Sequence, residues 1–152
     1  MALTAGDHFN CALLDSQEVY CWGSNEAEAG DGVVGALGAG TSLSESTLPL
    51  RVCEPNPSTT CEAVPSCSRA LEDAVAISAK QSHACAARAD GSVVCWGEAL
   101  SWGIGAGSVR TTDYCAPVQV CTDGVDANCP TPLANLAVRR CDLLEVNVVE
   151  NP

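Results

Sequence analysis

Eleven cysteines in 152 residues carry more potential chemistry than any other residue type in this sequence. They could ligate zinc, exchange disulfides or form structural cystines, and their spacing discriminates between these uses. A zinc site needs a close pair such as Cys-x2-Cys completed by further Cys or His. The tightest spacings here are Cys61-x5-Cys67, Cys115-x5-Cys121, Cys53-x7-Cys61 and Cys121-x7-Cys129, with no histidine beside them. An exchange catalyst needs an accessible thiol of low pKa, usually in Cys-x-x-Cys, and that motif is also missing. Structural disulfides are therefore expected, and with them an oxidising compartment: the extracellular space, the periplasm or the cell surface. Met1–His8 offers neither the charged n-region nor the apolar h-region of an export signal. Taken together, these two observations predict a truncated coding region, a mature form or an excised piece of an exported protein, and point to a fragment.

Other chemistry-bearing residues are weaker candidates. His83 could act as a general base, but no Ser, Cys or Asp stands at a recognisable nucleophile spacing from it, so a structural histidine is expected. His8, beside Asp7, reads as solvent-facing. Trp22, Trp96 and Trp102 could form a ligand platform; Trp22-Gly23 and Trp96-Gly97 read instead as packing followed by a glycine for close backbone approach. Asp123, Asp126 and Asn128 could approach calcium, yet the twelve-residue calcium loop with its terminal Glu is absent. The glycine-rich stretch 30–38 lacks the Lys-Ser/Thr of a phosphate loop. No catalytic, cofactor or metal residue is assigned, and no cofactor is expected. Nineteen acidic against seven basic residues give a net charge of −12, with Lys80 the sole lysine. Such a surface repels nucleic acid, and no apolar run reaches the roughly 18 residues of a membrane span.

The elements that hold these residues announce themselves by repetition. Cys11-Ala-Leu-Leu-Asp-Ser-Gln-Glu-Val-Tyr-Cys21-Trp22-Gly23 is echoed by Cys85-Ala-Ala-Arg-Ala-Asp-Gly-Ser-Val-Val-Cys95-Trp96-Gly97 at a constant offset of 74 (11 to 85, 21 to 95, 22 to 96). Pro49-Leu-Arg-Val-Cys53 with Cys61 recurs as Pro117-Val-Gln-Val-Cys121 with Cys129, at an offset of 68. One unit of a repeat protein cannot bury its apolar face alone, so an array is expected. Asp90-Gly91 between apolar runs signals a hairpin. A three-residue loop, Ala89-Asp90-Gly91, sets Ala87 against Val93 and Cys85 against Cys95; the same arithmetic centred on Ser16 sets Cys11 against Cys21. Both hairpin faces are apolar, as for strands covered on two sides. Residues 68–79 could locally start a capped helix, but the repeat register puts Val75–Ala79 on a strand.

These blocks resemble the regulator-of-chromosome-condensation repeat in its cysteine-bearing, bacterial exported form. The first copy runs through Ala5–Leu14, Val19–Asn25, Gly30-Asp-Gly32 and Pro49–Val52. The second runs through Ile77–Ala86, Asp90–Gly97, Ile104-Gly105-Ala-Gly107 and Pro117–Val120. The resemblance implies an all-β fold: about two antiparallel blades of a seven-bladed β-propeller, an incomplete ring with disulfide-tied loops. Repeat-signature structural positions are Trp22, Gly23, Gly30, Gly32, His83, Gly91, Trp96, Gly97, Gly105 and Gly107; the usual His position holds Phe9 in the first copy. The copies exceed the usual repeat length, the surplus falling at 33–47, read as a lengthened loop, and at 53–70. Expected units are 1–70, a first repeat with a Cys-rich insertion; 71–130, a second; and 131–152, the truncated start of a third or a disordered tail. Predicted disulfides are Cys11–Cys21 and Cys85–Cys95 in the hairpins and Cys53–Cys61 and Cys121–Cys129 as loop clasps. Cys67, Cys115 and Cys141 are left over, with a Cys67–Cys115 link among the options.

Family members serve as scaffolds, exchange factors for small GTPases, chromatin binders or secreted inhibitors. Exchange and chromatin binding are not expected of an exported acidic chain. The expectation is a non-enzymatic protein-binding or scaffold module that contacts another protein through its loops. Secreted enzyme inhibition, or a degenerate fragment without selected function, is the alternative. Two blades cannot close a ring, so self-association through open blade faces is expected as well.

Overall fold

The computed structural model describes residues 1–27, 32, 34–55, 61–63, 67–99 and 114–120. Short runs of alternating apolar residues, separated by turn-forming residues, become eight strands among the described residues. They are β1 (Ala2–Ala5), β2 (Phe9–Leu13), β3 (Val19–Ser24), β4 (Glu45–Arg51), β5 (Ala74–Lys80), β6 (His83–Arg88), β7 (Val93–Gly97) and β8 (Tyr114–Gln119). Consecutive strands pair antiparallel into two four-stranded sheets, β1-β2-β3-β4 and β5-β6-β7-β8. The stretch that could have begun a helix is strand from Ala74 onward. Its β-branched Val75 and Ile77 suit a pleated sheet that packs on a neighbour.

The two central hairpins share one register: Cys11 opposite Cys21 and Leu13 opposite Val19, then Cys85 opposite Cys95 and Ala87 opposite Val93. Each turn closes in the same way. Gln17 N donates to Leu14 O at 2.9 Å, and Gly91 N to Arg88 O at 3.0 Å. The third loop residue is left-handed in both, with φ 67° at Gln17 and 83° at Gly91. A register shift against the outer strand falls between Cys21 and Gly23 and again between Cys95 and Gly97. There the backbone crosses so closely that a Cβ on Gly97 would stand 2.3 Å from Ser82 O, and one on Gly23 2.6 Å from His8 O. Only glycine fits after the tryptophan.

Within 33–47, expected as a lengthened loop, residues 34–41 are buried. Val34, Ala36, Leu37 and Ala39 are fully buried. They belong with Phe9, Leu13, Val52, Leu71, Val94 and Trp96, so one core spans both sheets. Asn25 makes this burial feasible. Its Nδ2 donates to Thr41 O at 3.0 Å and Leu43 O at 2.9 Å, while Oδ1 accepts from Leu37 N at 3.0 Å. An irregular segment can enter an apolar core once its backbone polar groups are matched in this way.

Candidate protein-interaction site

The connection from β4 to β5 is the feature that distinguishes this frame from a plain pair of hairpins. Its two ends run antiparallel: Leu71 N donates to Val52 O and Glu54 N to Arg69 O, both at 2.9 Å, with a bridge between Cys53 and Ala70. That pairing brings the returning chain beside Cys53, which is disulfide-bonded to Cys67 with the Cα atoms 5.0 Å apart. The expected Cys53–Cys61 clasp is therefore corrected. Cys61 is carried elsewhere, because Glu62 bridges Thr41 in parallel and Glu62 N donates to Gly40 O at 3.0 Å. Gly40 N in turn donates to Cys115 O at 2.7 Å, and Cys61 is bonded to Cys115 on β8 across 5.5 Å between Cα atoms. The insertion of the first sheet is thus fastened to the outer strand of the second. On it Glu62, Ala63, Ser68 and Arg69 are exposed.

Two arginines anchor the base of this segment. Arg51, at the end of β4, is hydrogen-bonded to Glu18 and lies 3.4 Å from Glu72. The Ser16 hydroxyl first, and then Arg51, hold the Glu18 carboxyl below the usual carboxylate range; Glu18 in return holds the Arg51 guanidinium above its ordinary value. Arg88, at the end of β6, donates from Nε to both carboxylate oxygens of Asp73 at 2.8 and 3.0 Å, and from Nη2 to Glu54 at 3.0 Å. Burial pulls the Arg88 guanidinium down, and Asp73 and then Glu54 more than offset it. Between the two hairpin tips lies an open cleft of about 700 Å³, lined by Leu13, Asp15, Gln17, Val75 and Arg88 among others. Because Arg88 is already committed to two carboxylates, its charge is matched within the frame.

The remaining residues singled out in the sequence are distributed as follows. Cys11–Cys21 and Cys85–Cys95 are bonded within the hairpins, with Cα atoms 4.1 and 4.0 Å apart. Trp96 is fully buried and its Nε1 donates to Ala36 O at 3.0 Å, whereas Trp22 is half-buried. His83 is half-buried opposite Gly97, and His8 is exposed in a turn. Gly32 is exposed, with open space where a Cβ would stand. Gly30, Trp102, Gly105, Gly107, Cys121, Asp123, Asp126, Asn128, Cys129 and Cys141 lie outside the described residues. Among the described residues, no three His, Cys, Asp or Glu side chains gather as metal ligands, and no helix is long and apolar enough to cross a membrane. Asn25, Asp73 and Arg88 carry the frame yet were not singled out in the sequence. The offset of 74 sets Ala99 against Asn25 and Leu14 against Arg88, so repetition gave no signal for them.

Two hairpins with one register, the same Trp-Gly crossing and a shared core are successive blades by geometry, and sequence comparison agrees. The family model for the regulator of chromosome condensation (RCC1) repeat matches residues 2–27 and 74–103, which hold the first three strands of each sheet. Both matched stretches are similar to this repeat. Solved structures are similar in fold. Human WBSCR16 aligns with a TM-score of 0.54 and 19% identity, covering 77% of this chain and 24% of its own. Prp20p from Saccharomyces cerevisiae aligns with a TM-score of 0.50 and 17% identity, covering 91% and 26%. The chain spans about a quarter of the length of either structure. No curated protein sequence matches it. The expected fold class holds: all-β, with two antiparallel blade-like sheets of the repeat type and cystine-tied loops.

Proposed function

We propose that this pair of repeats is a non-enzymatic protein-binding module of an exported β-propeller, and that its recognition surface is the cystine-held insertion between β4 and β5. The observation that carries this reading is the double fastening of that insertion. Cys53–Cys67 closes its neck, and Cys61–Cys115 ties its tip to the second blade. A loop fixed in advance on a rigid frame loses less conformational entropy on binding a partner. Protein recognition also accords with the yeast Prp20p structure, described together with binding to Gsp1p and histones. Nothing in this chain points to those two partners, and its charge of −12 favours partners with a basic surface. An enzyme could be that partner, which would make loop-borne inhibition a special case of the same reading. Association of blades through open faces belongs to it too.

The test uses the immobilised, oxidised chain against the exported proteins of its source. Retention of a partner by the unmodified chain, with loss in the charge-reversed pair Glu62→Arg and Arg69→Glu, is the expected result. Equal retention by both would remove the insertion from the interface. Export itself is read from the thiols of protein isolated from its native source, where cystines are expected. Free thiols at all of Cys11, Cys21, Cys85 and Cys95 would overturn it.

A further inference from the structure

Cations are scarce in this chain, and one pair of them is only partly neutralised. Seven Lys and Arg residues stand against nineteen Asp and Glu. Arg88 is closed off by Asp73 and Glu54. Arg51 gives only its Nη2 to Glu18 and Glu72. The Arg51 Nε and Nη1, and the whole guanidinium of Arg69, donate to nothing among the described residues. An arginine offers its donors in a planar fork, so most of this capacity is free.

The two forks line one recess. A pocket of about 370 Å³, open to solvent, is walled by Arg51, Cys67, Ser68, Arg69, Ala70 and Glu72. Its walls come from the end of β4 and from the return of the insertion toward β5, both in the stretch that joins the two sheets. Backbone and covalent bonds hold these walls together. Leu71 N donates to Val52 O and Glu54 N to Arg69 O, both at 2.9 Å, and Cys67 is bonded to Cys53, two residues from Arg51. The backbones that carry the two arginines are thus fixed relative to each other, which lowers the ordering cost of binding. The insertion brings few competing carboxylates. Stretches 56–60 and 64–66 contain no charged residue, and Glu54 is committed to Arg88.

The charges select the ligand. Two guanidinium groups and the Glu72 carboxylate leave the recess one positive charge in excess, inside a chain of net charge −12. A monoanion balances that excess, whereas a dianion adds repulsion from Glu72 and from the rest of the chain. A planar fork meets a carboxylate through two parallel hydrogen bonds, and the Ser68 hydroxyl is a further donor on the same wall. We propose that this recess binds a single carboxylate, the side chain of an Asp or Glu presented by a protein partner. The partner that fits carries this acidic side chain within an otherwise basic surface. The inference rests on the insertion as recognition surface but fails separately from it. A small carboxylate probes the recess in the pure chain, whereas that reading is tested by capture of a whole partner.

The test is a titration of the oxidised, isotope-labelled chain with N-acetylglutamic acid α-amide at constant ionic strength, following the arginine Nε–H signals by nuclear magnetic resonance. Saturable shifts at Arg51 and Arg69 are expected, with none at Arg88 and none from the neutral N-acetylglutamine amide. Arg69→Gln, at an exposed position, should weaken binding about tenfold or more. Arg69→Lys keeps the charge without the fork and should recover only part of the loss. Lys80→Gln removes an equal charge from an exposed position outside the recess and should bind like the unmodified chain. Far-ultraviolet circular dichroism should be the same for all. Absence of a saturable shift, an equal response to the neutral amide, an equal loss in Lys80→Gln, or tighter binding of inorganic phosphate would each overturn the proposal.

Discussion

A buried carboxamide is tolerated only when its donors and acceptor are matched, and Asn25 matches all three through Thr41, Leu43 and Leu37. Asn25→Ala leaves the buried Leu37 N and Thr41 O without this partner, and the expected cost is about 2–3 kcal/mol. Urea unfolding measures it directly. The hairpin turns offer a paired test. Gln17 and Gly91 occupy the same left-handed position, where a non-glycine residue is strained by roughly 1 kcal/mol. Gln17→Gly should therefore stabilise by about 0.5–1 kcal/mol, reduced by the greater freedom of an unfolded glycine, while Gly91→Gln destabilises by a similar amount. Equal midpoints for both variants would contradict the shared turn geometry. Glu18 gives a pH signature. Its carboxyl is depressed by the Ser16 hydroxyl and Arg51, so the folded state binds that proton less readily than the unfolded state. The contribution is present above the ordinary carboxylate range and is lost as pH falls through the lowered value. In Glu18→Gln this part of the acid sensitivity should disappear, and high salt should shrink it in the parent, since the Arg51 partner is exposed.

At the scale of elements, each hairpin is closed twice, by its turn and by a cystine near the far end. The loops closed by Cys11–Cys21 and Cys85–Cys95 have a sequence separation of 10, whereas Cys61–Cys115 spans 54. On the chain-entropy model the short loops contribute about 2.7 kcal/mol each and the long one about 4.2 kcal/mol. Replacing Cys61 and Cys115 together by Ser should thus lower the thermal midpoint more than replacing Cys11 and Cys21. The reverse order would mean that the insertion is held mainly by its backbone bonds to Gly40 and Thr41. The hairpins and their register were legible in the sequence because a turn signal and alternation fix facing residues within about ten positions of each other. The Cys53 partner was not legible. Which cysteine it meets depends on pairing between 52–54 and 69–71, and no local pattern in the Pro/Ser/Thr-rich segment announces that pairing.

At the scale of the whole molecule, the larger apolar cluster of the described residues is continuous between blades, and a smaller one of Cys95, Tyr114 and Val118 lies on the second. Each blade alone would leave an apolar face in water, so folding of one should depend on the other. Trp96 sits at the centre of that junction, fully buried and bonded to Ala36 in the connection from β3 to β4. Trp96→Ala should cost about 3–5 kcal/mol and lower the protection from hydrogen exchange of amides in both sheets. Loss confined to β5–β8 would show that the blades unfold independently. The sequence by itself determined the hairpin strands, their two registers and the repeated Trp-Gly unit, because each follows from local periodicity or from comparison of one copy with the other. Tertiary structure alone decided that residues 34–41 enter the core, that Asn25 and Arg88 hold the frame, and that Cys61 reaches Cys115. These depend on contacts between segments far apart in the chain, where local periodicity leaves no trace.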